Sequence, residues 1–127
     1  MPTTEKRYTI AEAATATGLT THTLRYYESA GLMLHDVERS SSTHRRYSDE
    51  DITWVVFLTR LRSTAMPIRQ LKEYVNLARQ GDDTSAGRLE LLLRHRISVV
   101  AQLEELNRSL GAIDYKISIY TEQVETQ

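Results

Sequence analysis

Apolar positions recur at helical spacing in five stretches of this chain, and short polar or glycine-bearing breaks separate them. The first stretch carries Ile10, Ala13 and Ala14 behind the segment "TIAE", in which Thr9 can cap a helix and Glu12, three residues on, can complete a capping box. Gly18 ends it, Leu19 follows, and Thr20 is placed to cap a second helix that runs to about Ala30, before Gly31. Two short helices joined by a three-residue turn containing glycine form a helix-turn-helix pattern.

The second helix, "THTLRYYES", separates into two faces. Leu24 and Tyr27 are three apart and lie on one side, where Ala13, Ala14 and Leu19 can cover them. Thr21 with Arg25, and His22 with Tyr26, are pairs four apart on the other side. Adjacent residues on a helix point about 100° apart. Two neighbouring tyrosines therefore cannot share one core, and Tyr27 is expected inside and Tyr26 outside.

Helical period then stops over "LMLHDVERSSSTHRRY", whose serines predict a loop between short extended pieces, read as a small hairpin or wing. "SDED" opens a third helix with Ser48 as cap and three acids in the first turn, where the helix dipole favours negative charge. Ile52, Val55, Val56 and the stretch from Leu58 to Leu61 make it the main apolar contributor to the domain. A fourth helix follows Pro67, with Ile68, Leu71, Val75 and Ala78 as its stripe and Gly81 just past its end. "DDTSAG" is the expected hinge, so that residues 1–81 form a winged helix-turn-helix domain with its helix pair and residues 82–127 a separate long helix.

That last helix has the sharpest period. Alternating steps of four and three from Leu92 reach Arg96, Val99, Leu103, Leu106, Leu110, Ile113, Ile117, Tyr120 and Val124, and Arg96 alone is not apolar or aromatic. A lone helix about 50 Å long would leave such a stripe in water. A partner is required, and a second copy of the same chain is the simplest. Arg96 either precedes the start of the seam or is a polar seam residue that fixes register. The predicted fold class is thus mainly α: a winged helix-turn-helix, a helix pair, and a C-terminal coiled-coil dimerisation helix.

The net charge is −1, which gives no hint of a polyanionic partner, but the average conceals an asymmetry. Residues 1–79 hold 11 Lys and Arg against 9 Asp and Glu, whereas residues 80–127 hold 5 against 8. From Arg39 to Ser48 there are three arginines, a histidine and no acid. Without cysteine, the chain can form no disulfide, thiolate metal site or nucleophilic thiol. No signal-peptide core and no run of 18 uncharged apolar residues occurs, so the expected location is the cytoplasm, without a membrane partner.

Little in the sequence suggests catalysis or a cofactor. His22, His35, His44 and His95 are scattered singly without metal-ligand spacing, and no glycine-rich phosphate loop or nucleophile motif is present. What remains is a positive, hydroxyl-rich surface on two neighbouring elements. The second helix offers Thr21, His22, Arg25 and Tyr26, and the wing offers Arg39, Arg45, Arg46 and Tyr47. Arginine forks match phosphate oxygens and guanine edges, while tyrosine and threonine hydroxyls position a nucleic-acid backbone.

Three segments, "YTIAEAATATGLTTHTLRYYESAGL", "HRRYSDEDI" and "FLTRLRSTAMPIRQLKEYV", resemble the MerR-type transcriptional regulators, in order along the whole chain. The resemblance implies a homodimer held by an antiparallel coiled coil. Such a dimer binds an inverted repeat in double-stranded promoter DNA, bends and untwists the spacer, and acts with RNA polymerase. It assigns Arg25, Tyr26 and Tyr27 to the recognition helix, Arg45 and Tyr47 to the wing, and Arg62 to a backbone contact. Tyr27 then has a mixed role, ring toward the core and hydroxyl toward phosphate.

The chain departs from the family pattern at Thr43 and His44, where the wing usually has Gly and Tyr, and at "ML" after "GL", where prolines are common. It most resembles the short aldehyde-responsive branch, yet the cysteine expected there is replaced near Arg60. An electrophile sensor needs a thiolate, and none is available. The expectation is a compact regulator whose signal is open, with a small-molecule effector at the junction of winged domain and coiled coil as one hypothesis. The rival from another class is a protein-interaction adaptor that pairs through its heptads without DNA specificity. An adaptor gives no reason for an arginine-tyrosine face beside a basic wing.

Overall fold

The computed structural model describes residues 6–39 and 45–127, with the side chain of Arg45 outside the described set. Strand β1 (Arg7–Tyr8) precedes helices α1 (Ile10–Thr17) and α2 (Thr21–Ser29). Strands β2 (Glu38–Arg39) and β3 (Arg45–Ser48) follow, then helices α3 (Asp49–Ser63) and α4 (Ile68–Arg79). A 3-10 turn, Asp82–Thr84, leads into α5 (Ser85–Glu125). The sheet order is β1-β3-β2, all antiparallel, with Tyr8 opposite Tyr47 and Glu38 opposite Arg46.

Local chemistry fixes most boundaries. Thr9 accepts from the Glu12 amide at 3.1 Å while the Glu12 carboxylate accepts from the Thr9 amide at 2.9 Å, which satisfies two orphan donors of α1 reciprocally. Those bonds hold the Glu12 carboxyl below its usual range. Ser48 and Asp51 repeat the device at α3, at 3.0 and 2.9 Å, and Thr20 caps α2 by accepting from the Thr23 amide at 3.0 Å.

The helix ends are equally specific. Gly18 and Gly31 sit at φ +73° just past α1 and α2, and the next amide in each case bonds back to Ala14 or Tyr27. Past α3 the same left-handed position is held by Ala65 at φ +71°, with Met66 N–H bonded to Leu61. Alanine pays a steric cost there that glycine does not.

The chain forms two compact units, Met1–Leu91 and Leu92–Gln127. The division falls inside α5 rather than at the Asp82 hinge. The first two turns of α5 belong with the winged domain, where Leu91 is buried and a Cβ added at Gly87 would meet Leu77 at 3.7 Å. In the first unit Ala13, Leu24, Leu32, Tyr47, Val55, Leu58, Met66, Leu71 and Val75 are fully buried. Tyr74, absent from the expected stripe of α4, is buried against Trp54 with ring centroids 5.9 Å apart, and burial raises its phenol pKa. Val56, expected inside, is exposed, because the inward face of α3 is set by Val55, Leu58 and Leu61.

The second unit is one unbranched stretch of α5. Leu103, Leu106, Leu110, Ile113, Ile117, Tyr120 and Val124 are all exposed, Leu106 at 67%. Leu92 and Val99, expected at the head of the same seam, are half-buried, whereas Leu93, Ile97 and Val100 are exposed beside the exposed Arg96. The exposed apolar face thus shifts around the helix in its first turns.

Candidate nucleic-acid interface

The outward face of α2 carries the first group of candidate side chains. Leu24 and Tyr27 point into the core, which leaves His22, Arg25 and Tyr26 exposed, the last at 44%, and Thr21 half-buried. The Tyr27 hydroxyl lies 3.4 Å from Thr59 Oγ1, and that hydroxyl donates at 2.8 Å to the Val55 carbonyl. A hydroxyl has one proton to give, so Tyr27 is the donor in this pair. Its ring is 6.2 Å from that of Tyr26 and tilted by 58°, so the adjacent tyrosines hold the surface and core roles apart.

The wing differs more from expectation. Side chains alternate along β3, and among its described side chains Tyr47 turns inward. It is 0% exposed, which corrects its assignment as an outward wing contact: pairing with Tyr8 on β1 places its ring in the core. Arg46, on the other face, lines a cleft of about 270 Å³ with Arg7, His35, Asp36, Glu38, Asp49 and Glu50. The acid-free run from Arg39 to Ser48 therefore does not give an acid-free surface. Folding brings Glu38 across the ladder and the first turn of α3 beside Arg46.

Arg39 is likewise engaged. Its guanidinium meets the Glu28 carboxylate at 2.6 Å, so the ion pair joins β2 to the last turn of α2. Arg45 is placed by its backbone opposite Arg39. Residues 40–44, with Thr43 and His44, lie outside the described residues. Arg62 is exposed but donates at 2.7 Å to the Met66 carbonyl, bracing the turn between α3 and α4.

Three contacts near the site escaped sequence reasoning. Tyr8 donates at 2.9 Å to Asp49, which raises the tyrosine pKa and ties β1 to the start of α3. Arg7 meets Glu38 at 3.3 Å. Glu28, the partner of Arg39, had no signal except its charge. Among the described residues no helix is long and apolar enough to cross a membrane.

A capped two-helix unit with an exposed Arg25–Tyr26 face, flanked by a three-stranded wing, is the architecture of a DNA-binding transcriptional regulator. The family profile described as MerR HTH family regulatory protein matches residues 8–77. An HTH-type transcriptional regulator of Haemophilus influenzae is 36% identical over 89% of this chain and 83% of its own length. The regulator AdhR of Bacillus subtilis is 41% identical over 68% of this chain and 61% of its own. Among solved structures, HiNmlR, a MerR family regulator lacking the sensor domain and bound to promoter DNA, superposes with a TM-score of 0.85. It is 34% identical and the match covers 91% of this chain and 87% of that one. A putative MerR family regulator from Listeria monocytogenes gives 0.82 at 33% identity, over 89% and 85%. The chain belongs to the MerR family of transcriptional regulators.

Proposed function

We propose that this protein is a cytoplasmic homodimer that binds an inverted repeat in promoter DNA and controls transcription there by bending and untwisting the spacer. The outward Thr21, His22, Arg25 and Tyr26 face of α2 carries the proposal, because it sits at the start of a capped helix whose other face is fixed in the core. Arg25 reads a base edge in the major groove, while Thr21 and Tyr26 hold the backbone. Arg45 meets phosphate beside the groove. Arg62 is a second backbone contact through the guanidinium donors that the Met66 carbonyl leaves unused.

The exposed stripe from Leu103 to Val124 supports the dimer, since leaving seven large apolar side chains in water is unfavourable and a second copy would cover them. Two α2 helices held apart in this way would enter successive grooves, and deformation of the spacer would let one set of contacts both hold and switch a promoter. RNA polymerase is the partner on which such a switch acts. An effector that biases it would be a small molecule. The promoter-bound state of HiNmlR, at 34% identity, supports the DNA ligand.

Titration against the region upstream of the protein's own gene, at two salt concentrations, tests this. A preference over scrambled duplex that weakens steeply with salt is expected. Equal affinity for both duplexes would leave the adaptor reading instead.

A further inference from the structure

The six residues from Leu32 to Val37 lead from α2 to β2 of the wing without helix or strand. Two side chains from elsewhere in the domain hold this segment. Trp54 on α3 donates from Nε1 at 2.8 Å to the Leu32 carbonyl. Arg79, the last residue of α4, donates to the Met33 carbonyl from Nε at 2.9 Å and from Nη2 as well. Leu32 and Met33 are buried, so these successive carbonyls have little access to water and depend on such donors.

The two donors are coupled to each other. Trp54 stacks on Tyr74 of α4 at 5.9 Å and 17°, which joins the helices that carry the clamps. At the far end of the segment, Arg39 is held by Glu28. The wing is thereby suspended between α2 and the α3–α4 pair.

We infer that Trp54 and Arg79 are positioning residues for DNA binding: through the Leu32 and Met33 carbonyls, the α3–α4 pair sets the angle at which the wing meets the nucleic-acid backbone. The inference rests on the DNA-binding reading above. It separates two functions, base reading by α2 and backbone grip by the wing.

The test uses the full chain and a duplex that the wild-type protein itself selects from a randomised pool. Arg79→Met removes the donors and keeps much of the stem, while Trp54→Phe keeps a ring against Tyr74 and removes the N–H. Each variant is compared with wild type at a temperature where circular dichroism shows it folded. The slope of log Kd against log salt is expected to fall by about one or two, as one or two phosphate contacts are lost. Hydroxyl-radical protection should fade at the outer edges of the footprint, and the ranking of base-substituted duplexes should not change.

A role in stability alone would lower the melting temperature and leave slope and outer protection as they are; that result overturns the inference. So does loss of base preference together with the slope, because the whole domain would then be displaced. If Arg79→Met does not fold, Trp54→Phe is judged by the same readouts. A wild-type protein that selects no duplex overturns the DNA-binding reading before either variant is made.

Discussion

The winged domain and the tail treat their apolar residues in opposite ways. In the first, Leu24, Leu58 and Tyr47 are shut away by neighbours from the same unit; in the second, Leu103 to Val124 stand in solvent along one side of a helix. One region can satisfy its own hydrophobic surface and the other cannot. The difference follows from layers: α1, α3 and the sheet pack on one another, whereas a lone helix has no second layer to face. In the proposed dimer, association sustains the helicity of the tail, because propensity alone stabilises isolated helices only marginally.

The strongest way to break this contrast is Leu106→Asp. A charge in the exposed stripe should convert dimers to single chains in sedimentation and reduce helical ellipticity, with the near-ultraviolet signal of the winged domain unchanged. A variant that still sediments as a dimer would remove the stripe from the interface. The reverse experiment is Leu58→Ala, which opens a void in a fully buried position and should cost about 2–5 kcal/mol in denaturant unfolding. It should lower the transition of the winged domain without changing the subunit count.

Arg25→Ala asks whether the self-contained region carries recognition. It should weaken binding to the preferred duplex by about 1–3 kcal/mol and relax base preference at one position per half-site, with unfolding unchanged. Ala65→Gly should stabilise the first unit by about 1 kcal/mol, since glycine relieves the left-handed backbone at φ +71°. Loss of stability in that variant would mean that chain entropy outweighs the strain.

The smallest effect is on acid stability. The Glu12 carboxyl is held below its ordinary value of 4.5 by the Thr9 bonds, so its contribution is complete above that value and is lost as pH falls through the lower folded pKa. Replacement of Glu12 by Ala should flatten the pH dependence of melting only at the acid end. An unchanged acid limb would show that the carboxylate contributes nothing to the cap.

What was legible in the sequence was local. The Thr9–Glu12 box and the Ser48 cap lie within one helical turn, and the faces of α2 follow from helical spacing alone. The wing was less legible, because strand pairing decides which way a residue points. Tyr47 reads as one more surface hydroxyl until β1 is laid beside it, and a two-residue strand at Arg7–Tyr8 has no period to announce it. The surroundings of Arg46 depend on Glu38 and on α3, a contact that an acid-free run in the sequence conceals. In the tail the heptads from Leu103 onward were readable. The half-burial of Leu92 and Val99 was not, since their place in the heptad matches that of the exposed residues further on.

Trp54 is the chain's one tryptophan, and its indole N–H holds the segment that leads into the wing. Its fluorescence therefore comes from a single place, between the Leu32 carbonyl and the Tyr74 ring. An emission shift on adding DNA would register whether the wing changes its seat, with no dye attached to the protein.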